Sequence, residues 1–350
     1  MNRIYAVLAL CLSLYACKKE ETTTQPITGN PDTGFLHGVY VLNEGSFGGN
    51  NASIGYINEN NTLTQDLYYD VNEVSLGDVL QSFTIIGNRG YAVLNNSQKV
   101  VVIDMHSFEH VAEISGLSYP RQVEGIGNNK ALLSNGSMEG ELKVIDLNTN
   151  TVTSSITVGK GPERLLHVAD YVVVCNSGGW DIDSTISIID TQSLDVAHTV
   201  VVGDRPVDAV VDRNGTLWVL CSGNTSWMPG GETAAKLVKV DTSTWAVVGT
   251  YTFENSADHP QHLEIDPNGE TLYFLNGNVY ATNIEDINLS VNVVSQLPLS
   301  TIHVNPATRH IWGASISDYT NPSTVYQISS TGAQLNSFVV GLGTNGVVFN

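Results

Sequence analysis

Residues 145–165 read IDLNTNTVTSSITVGKGPERL, and 44 residues later the chain repeats the phrase as IDTQSLDVAHTVVVGDRPVDA. Each copy is an apolar run, an Asp turn, a Thr- and Val-rich stretch, a Gly-containing turn ending in Pro, and a further apolar run. Turn prolines recur at Pro120, Pro162, Pro206 and Pro260, with a related one at Pro298, and acidic turn residues recur at Asp104, Asp146, Asp190 and Asp241. Most spacings lie between 38 and 44 residues, with one stretched unit. Within one unit, RLLHVA, YVVVCN, STISIID and VAHTVVV have the β-branched composition and the Gly/Asn/Asp punctuation of four short strands. Four strands repeated about every 42 residues are the signature of a propeller blade.

Seven units can be counted. Blades two and three span about Val79–Gly116 and Pro120–Val158, blades four, five and six begin at Pro162, Pro206 and Pro260, and blade seven begins near Pro298. Blade one opens directly with GVYVLNEGSF, at the second strand of the pattern. The missing inner strand is supplied by VGLGTNGVVFN, residues 340–350, which starts like a blade and stops after one strand. The expected fold is therefore all-β: a seven-bladed propeller whose C-terminal strand completes blade one and removes the open edges of an unclosed ring. A dinucleotide-binding reading fails for want of a Gly-x-Gly-x-x-Gly turn followed by a helix. The nearest helical candidate, residues 70–83, reads better as a connection into blade two.

The N-terminus is a separate matter. Asn2 and Arg3 precede the apolar run Ile4–Leu14, too short for a stable transmembrane helix, and then LYAC, residues 14–17. This resembles a lipoprotein signal removed before Cys17, with lipid attached to that cysteine. Residues 18–36, polar and rich in Thr, Pro and Gly, read as a tether, leaving residues 37–350 as the propeller. The charged CKKEE start resembles the signal that sends lipoproteins of Bacteroides-type bacteria to the outer face of the outer membrane. Fifteen basic against 35 acidic residues, a formal charge of -20 with no local basic stripe, argue against nucleic acid as a partner. Cys175 and Cys221 end equivalent strands of neighbouring blades, too far apart for a disulfide, and are expected as two buried thiols.

Topology also assigns a ligand-facing end. The turn before each inner strand and the loop joining its second and third strands share one face of a propeller. Two residues past the turn stand Ser82, Gln122, Arg164, Asp208 and His262, with Gly346 in blade one, and alternation aims this set at the central channel. Arg121 precedes Gln122 in the same segment. The next set, Phe83, Val123, Leu165, Ala209, Leu263 and Val347, is expected between blades. Any such channel collects polar residues and water, but a ring running from Arg164 to Asp208 to His262 varies in charge. At the loop tips stand Phe47, Met138, Trp180, Trp227 and Tyr319. Exposed tips have no packing reason to carry tryptophan, so these side chains either form a binding platform or fold back as satellite cores. Trp218 and Trp312 lie within strands and are expected in the core. Motifs for a metal centre or a hydrolase elbow are lacking.

The phrase VIDLNTNTVTSSITVGKGPERL (144–165) resembles the repeat VIDxxTxxVxxxIxVGxxPxxI of the YncE-like seven-bladed propellers, and the resemblance covers residues 38–350. The opening YVLNEGSFGGNNASI (40–54) is similar to a lipoprotein subgroup of Bacteroides-type bacteria. Within that wider group, BtuG-like surface lipoproteins bind cobalamin and sit on an outer-membrane transporter. The resemblance thus implies a monomeric, lipid-anchored protein facing outward, carrying cobalamin or another corrinoid as cargo rather than as a cofactor. Its partner would be a TonB-dependent transporter. Two other readings stand beside it. One is an interaction or surface-assembly module with no small ligand. The other is a channel hydrolase of sugar lactones, in which Arg164 or His262 polarises a carbonyl and Asp208 or Glu264 moves a proton, unless Glu264 pairs with His303 instead.

Overall fold

In a computed structural model, the described residues are 34–136, 138–290 and 292–350. The signal peptide, Cys17 and residues 18–33 of the tether lie outside them. The described chain forms seven four-stranded antiparallel sheets. In blades two to seven the strands run outward from the channel in chain order. Blade one is assembled from both ends: Thr344–Phe349 is its inner strand, followed by Val39–Asn43, Ser53–Ile57 and Leu63–Thr64.

The closing strand pairs Val41 with Val347 and Tyr40 with Val348. Thr344 Oγ1 donates to Asn43 Oδ1 at 2.6 Å, and Asn345 Nδ2 donates to the Leu80 carbonyl of blade two at 2.9 Å. The expected ring closure is present.

Second and third strands are sandwiched between blades and are buried on both faces. This is why Tyr171–Asn176 and Thr185–Asp190 read as continuous apolar runs rather than alternating ones. Outer strands such as Val196–Val201 face solvent. The core is accordingly divided into interblade layers, and one of them holds both Cys175 and Cys221, buried and unbonded to each other. Burial pushes both thiols well above the usual range, so they stay protonated. Trp218 and Trp312 are in the core, as expected.

The recurring aspartates are turn formers. Oδ1 of Asp104, Asp146, Asp190 and Asp241 accepts backbone N–H bonds from the residues two and three positions on, at 2.8–3.2 Å. The residue four positions on (Phe108, Asn150, Leu194, Trp245) then takes a left-handed conformation, φ 53–62°.

Two boundaries shift. Phe35, within the stretch read as tether, is buried edge-on against Tyr56 and Phe108, so the packed domain begins before residue 37. A six-residue helix occupies Leu67–Asn72, capped by Asp66, and covers only the first residues of the 70–83 segment. The rest of that segment connects to the inner strand Leu80–Ile86. Among the described residues no helix is long and apolar enough to cross a membrane.

Candidate functional site: the channel and its rim

The channel is a cavity of about 640 Å³ lined by all seven blades. Its lining is set by a backbone irregularity at the start of the inner strands. In blades two to six the pairing with the second strand slips between the strand opening and the interblade residue: Leu80/Ser82, Pro120/Val123, Pro162/Leu165, Pro206/Asp208 and Gln261/Leu263. Such a bulge turns two successive side chains to one side. Hence Arg121 and Gln122, and likewise Glu163 and Arg164, both reach the channel, where strict alternation would have sent one of each pair between blades. The residues expected between blades, Phe83 through Val347, are all buried there.

Of the residues singled out in the sequence, Ser82, Arg121, Gln122, Arg164, Asp208, His262 and Tyr319 line this one cavity. Several are tied to the next blade. Ser82 Oγ donates to the Arg121 carbonyl at 2.7 Å. The Gln122 amide accepts from Leu165 N–H at 2.9 Å. Oδ2 of Asp208 accepts from Leu263 N–H at 2.9 Å, while its Oδ1 caps Ala209 N–H at 2.9 Å. These side chains join backbones that the ladders of separate sheets cannot join. Arg121 bridges Glu163 (Nε to Oε1, 2.7 Å) and Gln81 (2.7 Å). Burial works against its charge, but Glu163 and Glu44 hold it firmly cationic.

Arg164 is different. Its Nε lies 3.1 Å from Asp208 Oδ1 as an ion pair, yet the guanidinium makes no hydrogen bond to another described residue. It is surrounded by protein but keeps 38% of its side-chain surface accessible, because the open channel passes it. Asp208, Glu264 and Glu124 surround it and offset the effect of its burial. Burial raises Asp208 above the usual carboxylate range despite Arg164. Glu264 lies below that range: burial opposes its charge, but His303, whose Nδ1 sits 3.1 Å from Oε1, outweighs it. The pairing of Glu264 with His303 is thus realised.

His262 is itself the bulge residue, with φ +53°. Burial first, and His303 second (ring centroids 6.2 Å apart), push its imidazole down to about 4, so it is neutral at pH 7. Glu124 was not singled out in the sequence. It stands two residues beyond Gln122, one further step of the same alternation, and burial pushes its carboxyl up to about 7. The channel therefore holds a neutral imidazole, a carboxyl near half-protonation and an arginine with open donor sites.

The loops present the second ring. Phe47 is 81% exposed, Trp180 76%, Trp227 66%, Met138 55% and Tyr319 49%. None of them forms a satellite core. The neighbouring Met228 anchors the Trp227 loop instead: it is buried, with Arg205 Nη1 3.4 Å from its sulfur. The Trp180 loop is braced by Asp183, whose carboxylate accepts from Lys160, Ser184 and Thr185 N–H at 2.7–2.9 Å. The Trp180 and Trp227 loops are thus braced, and all five side chains stand on connections between second and third strands, on a single face.

A family model described as "Domain of unknown function (DUF5074)" matches residues 37–340. The chain belongs to that family. No curated protein sequence matches it. Among solved structures it is similar to a quinonprotein alcohol dehydrogenase-like protein from Bacteroides thetaiotaomicron, at 13% identity and a TM-score of 0.63, covering 90% of this chain and 78% of that one. It is also similar to hydrazine synthase of Kuenenia stuttgartiensis (13% identity, TM-score 0.54, 73% and 85% covered). The computationally designed Ika8 protein matches at 11% identity and a TM-score of 0.57, with 88% and 89% covered. At such identities the likeness concerns the fold, and function has to be argued from the site.

Proposed function

We propose that the protein is a surface lipoprotein of the YncE-like, BtuG-like kind, which captures a bulky organic nutrient, most plausibly cobalamin or another corrinoid. It would pass that cargo to a TonB-dependent transporter. One observation carries this reading: five large side chains stand exposed around one channel mouth, two of them tryptophans on braced loops. An exposed tryptophan on a stiff loop gains nothing from folding, whereas a large amphipathic ligand would cover it and lose little conformational entropy in doing so. The polar channel floor beneath supplies donors and acceptors for amide-bearing substituents. The lipobox at Cys17 and the charged start of the tether support attachment to the outer membrane, facing outward.

Fluorescence titration of the full-length protein in mild detergent tests the reading. Cobalamin is expected to quench tryptophan emission saturably, and Trp180→Ala and Trp227→Ala should each weaken binding by about tenfold or more. Absence of heat in calorimetry at micromolar protein, with both tryptophans intact, would sink the corrinoid assignment. A pull-down from solubilised outer membrane addresses the partner: a barrel transporter recovered with corrinoid supports it, and adhesins alone would support an assembly module instead.

A channel lactone hydrolase is the second reading, favoured by the convergence of Arg164, Asp208, His262 and Glu264 on one cavity. Equal lactone turnover by the wild type, Asp208→Asn and His262→Ala would reject it.

A further inference from the structure

The same face carries a second cavity, of about 490 Å³, on the flank between blades five and six. It shares no lining residue with the channel. Blade six is cut short twice, and the cavity is the result. Gly277 alone, at φ +70°, joins its second and third strands, where blade five uses residues 222–235. Its outer strand is only the three residues Val293–Ser295.

The repeat exposes what this truncation changed. The last residue of the second strand is asparagine in blades one, three, four and six: Asn43, Asn135, Asn176 and Asn276. The first three are fully buried and bonded within the fold, to Ser53 Oγ at 3.1 Å, Ser118 N–H at 3.0 Å and Ser187 Oγ at 3.0 Å respectively. Asn276 is only half-buried, makes no side-chain hydrogen bond to another described residue, and lines the cavity. A structural clamp in the other blades is here an unengaged amide at a cleft.

The cleft wall is aromatic and held in place. Tyr280 stacks one ring face on Phe274, 5.5 Å and 9° between planes, and Phe253 meets Phe274 edge-on at 5.5 Å. Tyr280 and Tyr251 line the cavity. Among the described residues its charged lining is Glu254 and Asp258, with no lysine or arginine. An anionic ligand would be repelled. A hydroxyl-rich neutral ligand is matched: apolar C–H faces for the tyrosine rings, and hydroxyls for amide and carboxylate groups. The volume falls within the roughly 300–1,000 Å³ of small-molecule pockets.

We propose that this cleft is a binding site for a neutral saccharide about two sugar units long, independent of whatever the channel mouth binds. The full-length protein in detergent is titrated calorimetrically with maltose, cellobiose, xylobiose and chitobiose, and with tetramethylammonium as a cationic control. Saturable binding of at least one sugar is expected. It should fall about tenfold or more in Asn276→Ala and in Tyr280→Ala, and stay unchanged in Trp180→Ala. The Asn276 side chain makes no hydrogen bond to another described residue, so Asn276→Ala tests the cleft even if the loss of Tyr280 lowers the melting temperature. Binding of none of the four sugars, sugar binding that survives Asn276→Ala, or binding of tetramethylammonium alone would overturn the proposal.

Discussion

Two rings of side chains face the same end of this propeller, and they differ in what holds them. The inner ring, from Ser82 to His262, is largely engaged in joining one blade to the next. The outer ring runs from Phe47 to Tyr319; Tyr319 leans over Gly343 into the channel, while Trp180 and Trp227 stand largely exposed on braced loops. A polar residue in a channel looks functional and is often mortar. An exposed tryptophan on a rigid loop has no such second use. Arg164, whose guanidinium makes no hydrogen bond to another described residue, and the loop aromatics are therefore better candidates for ligand contact than the ring position as a whole.

Both rings depend on closure of the propeller. Removing residues 344–350 exposes the edge of blade one and unseats Thr344 and Asn345, and should abolish a cooperative thermal transition. The expected loss exceeds about 5 kcal/mol, comparable with the total stability of an ordinary domain. A normal melt would show that the seam is not what holds the ring.

Next in size is Asp208→Ala, which takes from Arg164 its ion-pair partner and from Leu263 N–H its acceptor. Urea unfolding should show a loss of about 2–4 kcal/mol, below the value for a wholly buried pair because Arg164 is partly accessible. Gln122→Ala, which removes the neutral link to Leu165, should lose about 1–2 kcal/mol. If Asp208→Ala proved as mild as a surface change, the inner ring would not be mortar.

A pH series sharpens the contrast within the channel. The raised carboxyl of Glu124 favours the folded state at low pH, and this contribution is lost as pH rises from about 4.5 through about 7. The depressed imidazole of His262 does the reverse: its contribution is present above about 6.5 and is lost as pH falls toward about 4. Between about 4.5 and 6.5 the two nearly cancel, so these groups leave the wild-type profile flat there. Glu124→Gln should make stability rise with pH across that window, and His262→Gln should make it fall, each by at most about 3 kcal/mol. Parallel profiles for both variants and the wild type would mean that neither group is perturbed.

The smallest expected effect on stability is at the rim. Trp180→Ala and Trp227→Ala should each change unfolding free energy by less than about 0.5 kcal/mol, as exposed positions do. A large loss would mean that these rings pack after all, and would remove the main support for a binding platform.

The fold was legible because a propeller writes its period into the chain. The turn prolines, the Asx-type aspartates and the orphan half-blade at residues 340–350 are local features with local causes, and each recurs where the ring needs it. The channel was legible in outline, since alternation correctly separates Ser82, Gln122, Arg164, Asp208 and His262 from their interblade neighbours. Glu163 and Gln81 were missed because a bulge adds a residue that strict alternation does not count, and Arg121 stood on the candidate list only as a neighbour of Gln122. Glu124 lies one alternation step beyond the position that the turn marks, so no turn signal points to it. The burial of Phe35 is not legible in the sequence, because one aromatic in a polar stretch carries no periodicity.

The blade count, the closure, the two buried thiols and the face on which the large side chains stand can all be read from the chain, because each follows from spacing along it. Which polar groups are engaged emerges only on folding, since it depends on a neighbouring blade about 40 residues away. Asn43 and Asn276 are the same residue at the same repeat position. One is a buried clamp and the other faces an open cleft, and the cause is the length of the loop beside it and the blade that loop does or does not cover.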